Sequence, residues 1–224
     1  MLSSAKENRR ALILDFDGVV VDTEWLHFES WNATFDEQYG IRVSGSVHQL
    51  VGMNLRQIFD VWCKADADAP LELDAEEEMR LLKRKTELFF EIGKGRLVLM
   101  DGVLDLIQKA QDAGWYIGIA SRSARLRLLR TLALTDAPAV FDVIMAYEDV
   151  VNPATDCKEH ARAADVFGIP AANCIVIEDS ASGVRAALDC GIGRVIGLTT
   201  SLGKPALYEA GAHEVVDRLA EVQL

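Results

Sequence analysis

Two aspartates with one residue between them follow an apolar segment close to the N-terminus. The segment ALILDFDGVVVDTE, residues 11–24, predicts a buried strand that carries Asp15 and Asp17 at its end and is broken by Gly18. Side chains two residues apart in a strand lie on the same face, so the two carboxylates would repel. A divalent cation with oxygen ligands, such as Mg²⁺, relieves that repulsion. A solvated Asp-x-Asp-Gly turn fits the same pattern, so partners elsewhere in the chain must decide between the two.

Polar side chains also follow two later apolar segments. Ser121 follows one of them, and Glu178 and Asp179 follow the other, while Lys158 begins a predicted helix. Ligands of an open parallel sheet bind beyond the carboxyl ends of its strands, so we expect these side chains to meet the two aspartates. Four carboxylates, a hydroxyl and an ammonium group form a set that is suited to phosphoryl transfer.

Strands alternate with helices through most of the chain, which is typical of a parallel sheet covered on both faces. We predict strands over 11–16, 115–120, 140–146, 174–177 and 194–198, helices over 103–113, 124–134, 157–167 and 181–190, and a final helical tail. Residues 21–95 contain only helical patterns, over 25–39, 55–65 and 74–92. The predicted fold class is therefore α/β. A Rossmann-like core of residues 1–20 and 96–224 carries an inserted α-helical cap domain, residues 21–95.

The composition limits the class of partner and the compartment. The 224 residues carry a net charge of −12 at a pI of about 4.8, which disfavours nucleic acid and anionic membranes as partners. No apolar run approaches the ~20 residues of a membrane span, and the first residues lack the pattern of a secretory signal. Neither the four cysteines nor the four histidines have zinc-ligand spacing. We expect reduced thiols, a cytoplasmic location and a monomer.

Several motifs resemble one known family. DFDGVVVDTE resembles the first motif of the haloacid dehalogenase superfamily in its phosphatase and phosphomutase branch, EDSASG resembles the fourth motif, and Ser121 the second. The segment DTEWLHFESWN, with VGMNL and LLKRKTE after it, is similar to the helical cap of β-phosphoglucomutase-like proteins. The resemblance covers nearly the whole chain, and the first and fourth motifs in this order are highly specific.

The resemblance implies a Mg²⁺-dependent phosphatase that hydrolyses a small phosphorylated metabolite, with a sugar phosphate as the expected class. The first alternative is a sugar phosphomutase of the β-phosphoglucomutase type, which is weakened by Leu55 where mutases carry an arginine. The second alternative is a non-catalytic binding protein on the same fold. Asp17 argues against the dehalogenase branch, because a dehalogenase needs neither this second carboxylate nor Mg²⁺.

The resemblance also assigns roles to the motif residues. It implies that Asp15 attacks phosphorus to form an aspartyl-phosphate, and that Asp17 acts as the general acid and then the general base. The implied Mg²⁺ ligands are Asp15, the Asp17 backbone carbonyl, Asp179 and Glu178. The implied phosphoryl contact is Ser121.

The third motif departs from the family pattern. Relatives carry Lys-Pro-x-Pro-Asp in the loop before a helix, whereas this chain has NPATD, with Asn152 in the position of the lysine. We predict that Lys158, six residues later, supplies the cation beside the phosphate, and that Asn152 contacts the substrate. The alternative is that Lys158 is a surface lysine and that the site lacks its cation.

The resemblance implies that the cap selects the substrate. His27 matches a cap histidine near the active site of β-phosphoglucomutase-like proteins, and Lys85 matches a cap lysine that contacts a distal phosphate. Trp31, Arg56 and Arg122 are further substrate-binding candidates. Each has a structural alternative: Trp31 as a core residue, His27 as a histidine of the cap hinge, and the basic residues as parts of solvated helix faces.

Overall fold

The computed structural model describes residues 9–42, 53, 55–63, 73–135, 137–150 and 159–224. The chain divides into two compact units, Met1–Asp22 with Val98–Leu224, and Thr23–Leu97. These boundaries lie two residues beyond those that we predicted from the sequence. The roles of catalytic core and cap for the two units stay predictions.

A six-stranded parallel sheet forms the centre of the first unit. Its strands are β1 (Ala11–Leu14), β2 (Tyr116–Ala120), β3 (Val143–Met145), β4 (Cys174–Glu178), β5 (Arg194–Leu198) and β6 (Glu214–Val216). Their order across the sheet is β3-β2-β1-β4-β5-β6, so the chain builds from β1 to one side and then to the other. The predicted α/β, Rossmann-like fold class is confirmed.

Helices occupy much of the rest of the described chain. Those of the second unit are α1 (Glu24–Tyr39), α2 (Leu55–Cys63) and α3 (Ala75–Gly93). Those of the first unit are α4 (Val103–Asp112), α5 (Arg125–Leu134), α6 (Glu159–Phe167), α7 (Ala181–Asp189) and α8 (Lys204–Glu209).

The register of the sheet separates two apolar faces. Ile13 of β1 is aligned with Val176 of β4, and the next residue, Leu14, is aligned with Ile177. Successive side chains of a strand point to opposite faces, so each aligned pair belongs to one face. All four side chains are fully buried. Ile13 and Val176 pack in one cluster with side chains of α6, α7 and α8, and α4 packs against β2.

The sequence prediction is wrong after β5. Instead of a helical tail, the chain forms the short helix α8, a turn with Gly211 at a φ of 102°, and the edge strand β6. His213 ties this strand to β5, because its Nδ1 accepts the Val195 N–H and its own N–H donates to the Val195 carbonyl. Three residues of strand are too few to show an alternating pattern in the sequence.

The second unit is an all-helical assembly in which α1 packs against α3. Gly40 ends α1 in the left-handed conformation, with a φ of 69°, as expected for a helix C-terminus. Asp74 caps α3 by accepting the Glu77 N–H over 2.8 Å. The buried apolar cluster of this unit contains Trp31, Phe35, Ile41, Leu55, Ile58, Phe59, Trp62, Leu73 and Leu81.

Some predictions fall on residues outside the described part of the chain. These are the roles of Asn152 and Lys158, the start of a helix at 157, the end of a helix at 65, and the thiols of Cys63 and Cys157. Among the described residues, Cys174 is buried, and burial raises the pKa of its thiol to about 11. In the same residues, no helix combines the length and apolar character that are needed to cross a membrane.

Candidate active site

Three carboxylates meet where β1 and its neighbour β4 end. Asp15 directly follows β1, Glu178 is the last residue of β4, and Asp179 comes next. The ladder between the strands continues past β1, because the Asp15 N–H donates to the Ile177 carbonyl over 3.0 Å. One carboxylate oxygen from each of the three acidic residues lies within 4.8 Å of the other two. The structure thus brings together three of the four predicted acidic residues, which we call the acidic cluster (Asp15, Glu178, Asp179).

Burial and neighbouring negative charges disfavour ionisation of Asp15. Desolvation raises the pKa of Asp15 well above its usual range, and the negative charges of Glu178, Asp179 and Asp17 raise it further. A hydrogen bond from the Phe16 backbone N–H lowers the pKa of Asp15, but by less. Glu178 and Asp179 are themselves buried. Three crowded carboxylate oxygens are the donors that a hard divalent cation prefers, so the residues fit the Mg²⁺ ion implied by the resemblance.

Two glycines give the carboxylates the space that they occupy. A Cβ on Gly183, in α7, would stand 1.9 Å from Glu178 Oε2, and a Cβ on Gly18 would stand 2.0 Å from Asp179 Oδ2. Gly18 also has a φ of 75°, a conformation that residues with a side chain rarely adopt. The glycines in DFDG and EDSASG are therefore steric requirements of the acidic cluster.

Asp179 is held by two hydroxyl groups from the segment after β5. Ser201 Oγ donates to Asp179 Oδ2, and Thr200 Oγ1 lies 3.2 Å from the same oxygen. Thr200 also donates to the Gly18 carbonyl over 2.8 Å. We did not predict either residue. The available signal was their position after a predicted strand, since the ends of parallel strands share one edge of the sheet.

Glu178 is held by a serine and faced by a completely buried histidine. Ser180 Oγ donates to Glu178 Oε2 over 3.1 Å. His160, on α6, places Nε2 3.1 Å from Glu178 Oε1, although the approach lacks hydrogen-bond geometry. His160 was not predicted as a site residue, because the four histidines have no metal-ligand spacing and no local pattern marks its contact with Glu178.

Asp17 contacts other partners than the acidic cluster. Its Oδ1 accepts from Arg127 Nη1 over 3.0 Å, and its Oδ2 accepts from Arg127 Nη2 over 2.5 Å. Ser123 Oγ donates to Oδ2 over 2.8 Å. Ser123 and Arg127 were not predicted as site residues; they are four residues apart, with Ser123 just before α5 and Arg127 in its first turn.

Ser121 and Arg122 lie directly after β2, the other neighbour of β1. Ser121 is buried, and its Oγ accepts the Ser123 N–H over 3.2 Å. Arg122 is exposed and donates from Nη2 to Ser182 Oγ over 3.0 Å. Ser121 therefore belongs to the same network as Asp17, whereas Arg122 is tied to the start of α7.

The second unit holds four of the predicted substrate-binding residues: His27, Trp31, Arg56 and Lys85. Lys85 is buried, with Nζ 2.6 Å from His27 Nδ1 and 5.6 and 4.9 Å from the ring centroids of Trp31 and Phe89. We call these four residues the lysine–aromatic cluster (His27, Trp31, Lys85, Phe89). Three of its members were predicted as site residues. Arg56 lies apart, bound to Glu78 over 2.6 Å.

Comparisons with known proteins show what the chain is similar to in sequence and fold. Residues 12–196 match the family model described as haloacid dehalogenase-like hydrolase. The chain is 30% identical over 224 residues to the phosphorylated carbohydrates phosphatase of Thermotoga maritima, covering 95% of this chain and 99% of the relative. It is 29% identical to protein CbbY of Rhodobacter capsulatus over 82% of both chains. The solved beta-phosphoglucomutase of Clostridium difficile shares the fold, with a TM-score of 0.76, 20% identity, and coverage of 96% of this chain and 94% of that one.

Proposed function

The chain belongs to the haloacid dehalogenase-like hydrolases and is an enzyme of that family, and from that premise we propose that it is a Mg²⁺-dependent phosphatase. We propose as its substrate a small phosphorylated carbohydrate and as its intermediate an aspartyl-phosphate. The name of the Thermotoga maritima relative, a phosphatase of phosphorylated carbohydrates, supports the substrate class.

The acidic cluster is the observation that carries this proposal. Its three carboxylates come from two stretches of chain more than 160 residues apart, and their oxygens lie within 4.8 Å of one another. Burying charges of one sign costs free energy unless a cation binds among them. We assign as ligands of that cation Asp15, Asp179, the Asp17 backbone carbonyl and Glu178. A bound Mg²⁺ ion neutralises charge on the transferring phosphoryl group.

Asp15 is the proposed nucleophile. A carboxylate oxygen of Asp15 forms a bond to phosphorus as the bond from phosphorus to the leaving oxygen breaks. Asp17 gives its proton to that leaving oxygen. In the second step a water attacks phosphorus, the bond to Asp15 breaks, and Asp17 takes the proton of the water. Ser121, at the end of β2, is the proposed donor to a phosphoryl oxygen.

The substrate-binding roles of His27, Trp31, Arg56, Lys85 and Arg122 stay proposals. The lysine–aromatic cluster supports His27 and Lys85, because it places an ammonium group beside an imidazole, a pair that can bind a phosphate group. Trp31 is buried in the apolar cluster of the second unit, which favours its alternative role as a core residue. The bond between Arg56 and Glu78 makes Arg56 the weakest candidate, since its guanidinium already has an anionic partner.

Phosphate release from a panel of sugar phosphates and 4-nitrophenyl phosphate, with Mg²⁺ and with EDTA, tests the proposal. We expect hydrolysis that requires Mg²⁺ and that falls by at least about 10⁴-fold in Asp15→Asn. Asp105→Asn, an exposed aspartate on α4, is the matched control and should keep wild-type activity. Full activity in EDTA or in pure Asp15→Asn contradicts the mechanism. No turnover across the panel favours a non-catalytic binding protein.

A phosphomutase is separated from a phosphatase by its product. We expect glucose 1-phosphate, if it is a substrate, to give free phosphate and glucose. Conversion to glucose 6-phosphate without phosphate release would instead identify a mutase, which must protect its aspartyl-phosphate from water.

A further inference from the structure

Asp17 is held by an arginine that the proposed mechanism does not use. The guanidinium of Arg127 binds both carboxylate oxygens of Asp17, over 3.0 and 2.5 Å. Ser123 donates to one of the same oxygens over 2.8 Å and also contacts Arg127. The ion pair is shielded from water, since the side chains of Arg127 and Asp17 are only 15% and 17% exposed.

This arrangement conflicts with proton transfer by Asp17. A general acid must present a protonated oxygen to the leaving group, and a general base must present a free lone pair to water. Here the guanidinium contacts both oxygens, one through Nη1 and one through Nη2, a bidentate pairing that suits a carboxylate. An ion pair that is mostly excluded from solvent is also costly to separate.

We propose that Arg127 is a positioning residue that restrains Asp17 in a resting orientation, from which the carboxyl group must be released for each proton transfer. The inference rests on the proposed function, because it assumes that Asp17 protonates the leaving group. Ser123 completes the restraint and links it to Ser121, whose Oγ accepts the Ser123 N–H over 3.2 Å.

The restraint has a specific kinetic consequence. A leaving group that is a weak base departs without a proton, so its rate does not depend on the release of Asp17. A leaving group that is a strong base needs the proton, so the barrier to hydrolysis of its ester includes the cost of separating the ion pair. 4-Nitrophenyl phosphate and phenyl phosphate have similar shapes and differ in the basicity of the leaving group. The ratio of their kcat/KM values therefore isolates the release of Asp17.

The test measures kcat/KM for both esters with Mg²⁺ in wild type, Arg127→Gln and Asp17→Asn. Relative to 4-nitrophenyl phosphate, hydrolysis of phenyl phosphate should become about tenfold faster in Arg127→Gln, since separating charge-assisted hydrogen bonds no longer opposes it. The same ratio should fall in Asp17→Asn. Arg130→Gln, an exposed arginine one turn along α5, is the matched control and should leave the ratio unchanged. Arg127→Lys, which keeps the charge but not the bidentate geometry, should raise the ratio by a smaller factor.

An unchanged or lower ratio in Arg127→Gln overturns the restraint. If Arg127→Gln does not fold, as judged by thermal unfolding, Arg127→Lys decides alone, with an unchanged or lower ratio as the contrary result. Failure of wild type to hydrolyse either ester with Mg²⁺ contradicts the proposed function and this inference together. If wild type hydrolyses both esters but the ratio of their kcat/KM values is the same in wild type and in the Arg127 variants, only this inference is contradicted.

Discussion

The acidic cluster and the lysine–aromatic cluster carry opposite charge and are built in different ways. Two hydrogen-bonded strands place the acidic cluster, because β1 and β4 end side by side in a fixed register. The packing of α1 against α3 places the lysine–aromatic cluster. A strand ladder fixes the backbone at a chemical site, whereas a helix pair leaves each side chain to be positioned by its neighbours. Substitutions should therefore act on chemistry in the first cluster and on substrate affinity in the second.

Among the substitutions that test this contrast, the largest effect should follow from filling the space beside Glu178. In Gly183→Ala, the new methyl group would stand 1.9 Å from Glu178 Oε2, so the carboxylate must leave the position that it holds in the acidic cluster. We expect the apparent affinity for Mg²⁺ and kcat to fall by about 100-fold, as at metal sites that lose the support of their ligands. Titration with Mg²⁺, followed both by activity and by calorimetry, measures the change.

Gly203→Ala is the matched control for this substitution. Its new methyl group would meet only Pro205 Cδ, at 3.7 Å, which is ordinary van der Waals contact. Wild-type affinity for Mg²⁺ in Gly183→Ala would show that the position of Glu178 does not matter to the metal site.

A smaller effect should follow from removing the ammonium group of the lysine–aromatic cluster. Lys85→Met keeps the length of the side chain among Trp31, Phe89 and His27 and removes its charge. We expect the KM of the preferred sugar phosphate to rise by about tenfold, from the loss of a charged hydrogen bond to the substrate. Steady-state kinetics with that substrate and with 4-nitrophenyl phosphate make the measurement, and kcat for the second ester should not change.

Lys83→Met, on the exposed face of the same helix, serves as the control and should keep the wild-type KM. If Lys85→Met and Lys83→Met have the same KM for the sugar phosphate, Lys85 has no part in substrate binding. The lysine–aromatic cluster would then not determine substrate affinity.

The smallest effect concerns stability and pH in the absence of metal. The ordinary pKa of an aspartate is 3.8, and the pKa of Asp15 in the native protein lies well above it. Between these two pKa values, Asp15 keeps its proton in the native protein and loses it in the unfolded chain. Because the native state binds more protons in that window, the free energy of unfolding should fall as pH rises from the ordinary pKa through the raised one. Asp15→Asn should lose this slope and unfold about 2–4 °C above wild type at pH 7 in EDTA.

Thermal unfolding in EDTA across pH, with Asp105→Asn alongside, makes this measurement. The control should keep the wild-type slope, since its substitution lies on the exposed surface of α4. A wild-type slope in Asp15→Asn would mean that Asp15 is not the group whose ionisation is disfavoured.

The parts of the site that were predictable from the sequence are those fixed by strand ends. Asp15, Glu178 and Asp179 each adjoin an apolar strand, and adjacent parallel strands end at one edge of a sheet. The glycines beside them belong to the same motifs. The α/β fold followed from the alternation of strands and helices, which is a strong periodic signal in a long chain.

The parts that the sequence did not reveal depend on side chains that meet across the fold. Arg127 reaches Asp17, 110 residues away, because of the orientation of α5, and no local pattern encodes that orientation. His160 faces Glu178 for the same kind of reason. Strand β6 was not predicted, because its three residues carry no strand pattern of their own. They form a strand because they pair with β5.

The most direct test of the account is to look for a phosphoryl group on Asp15. The enzyme is mixed with Mg²⁺ and a hydrolysed phosphate ester, quenched in acid within a turnover, digested and analysed by mass spectrometry. We predict that the peptide containing residues 11–24 carries one phosphoryl group on Asp15 and that Asp15→Asn carries none. A phosphoryl group on any other residue, or none on Asp15 at times when product forms, would contradict the central claim that this carboxylate of the acidic cluster is the nucleophile.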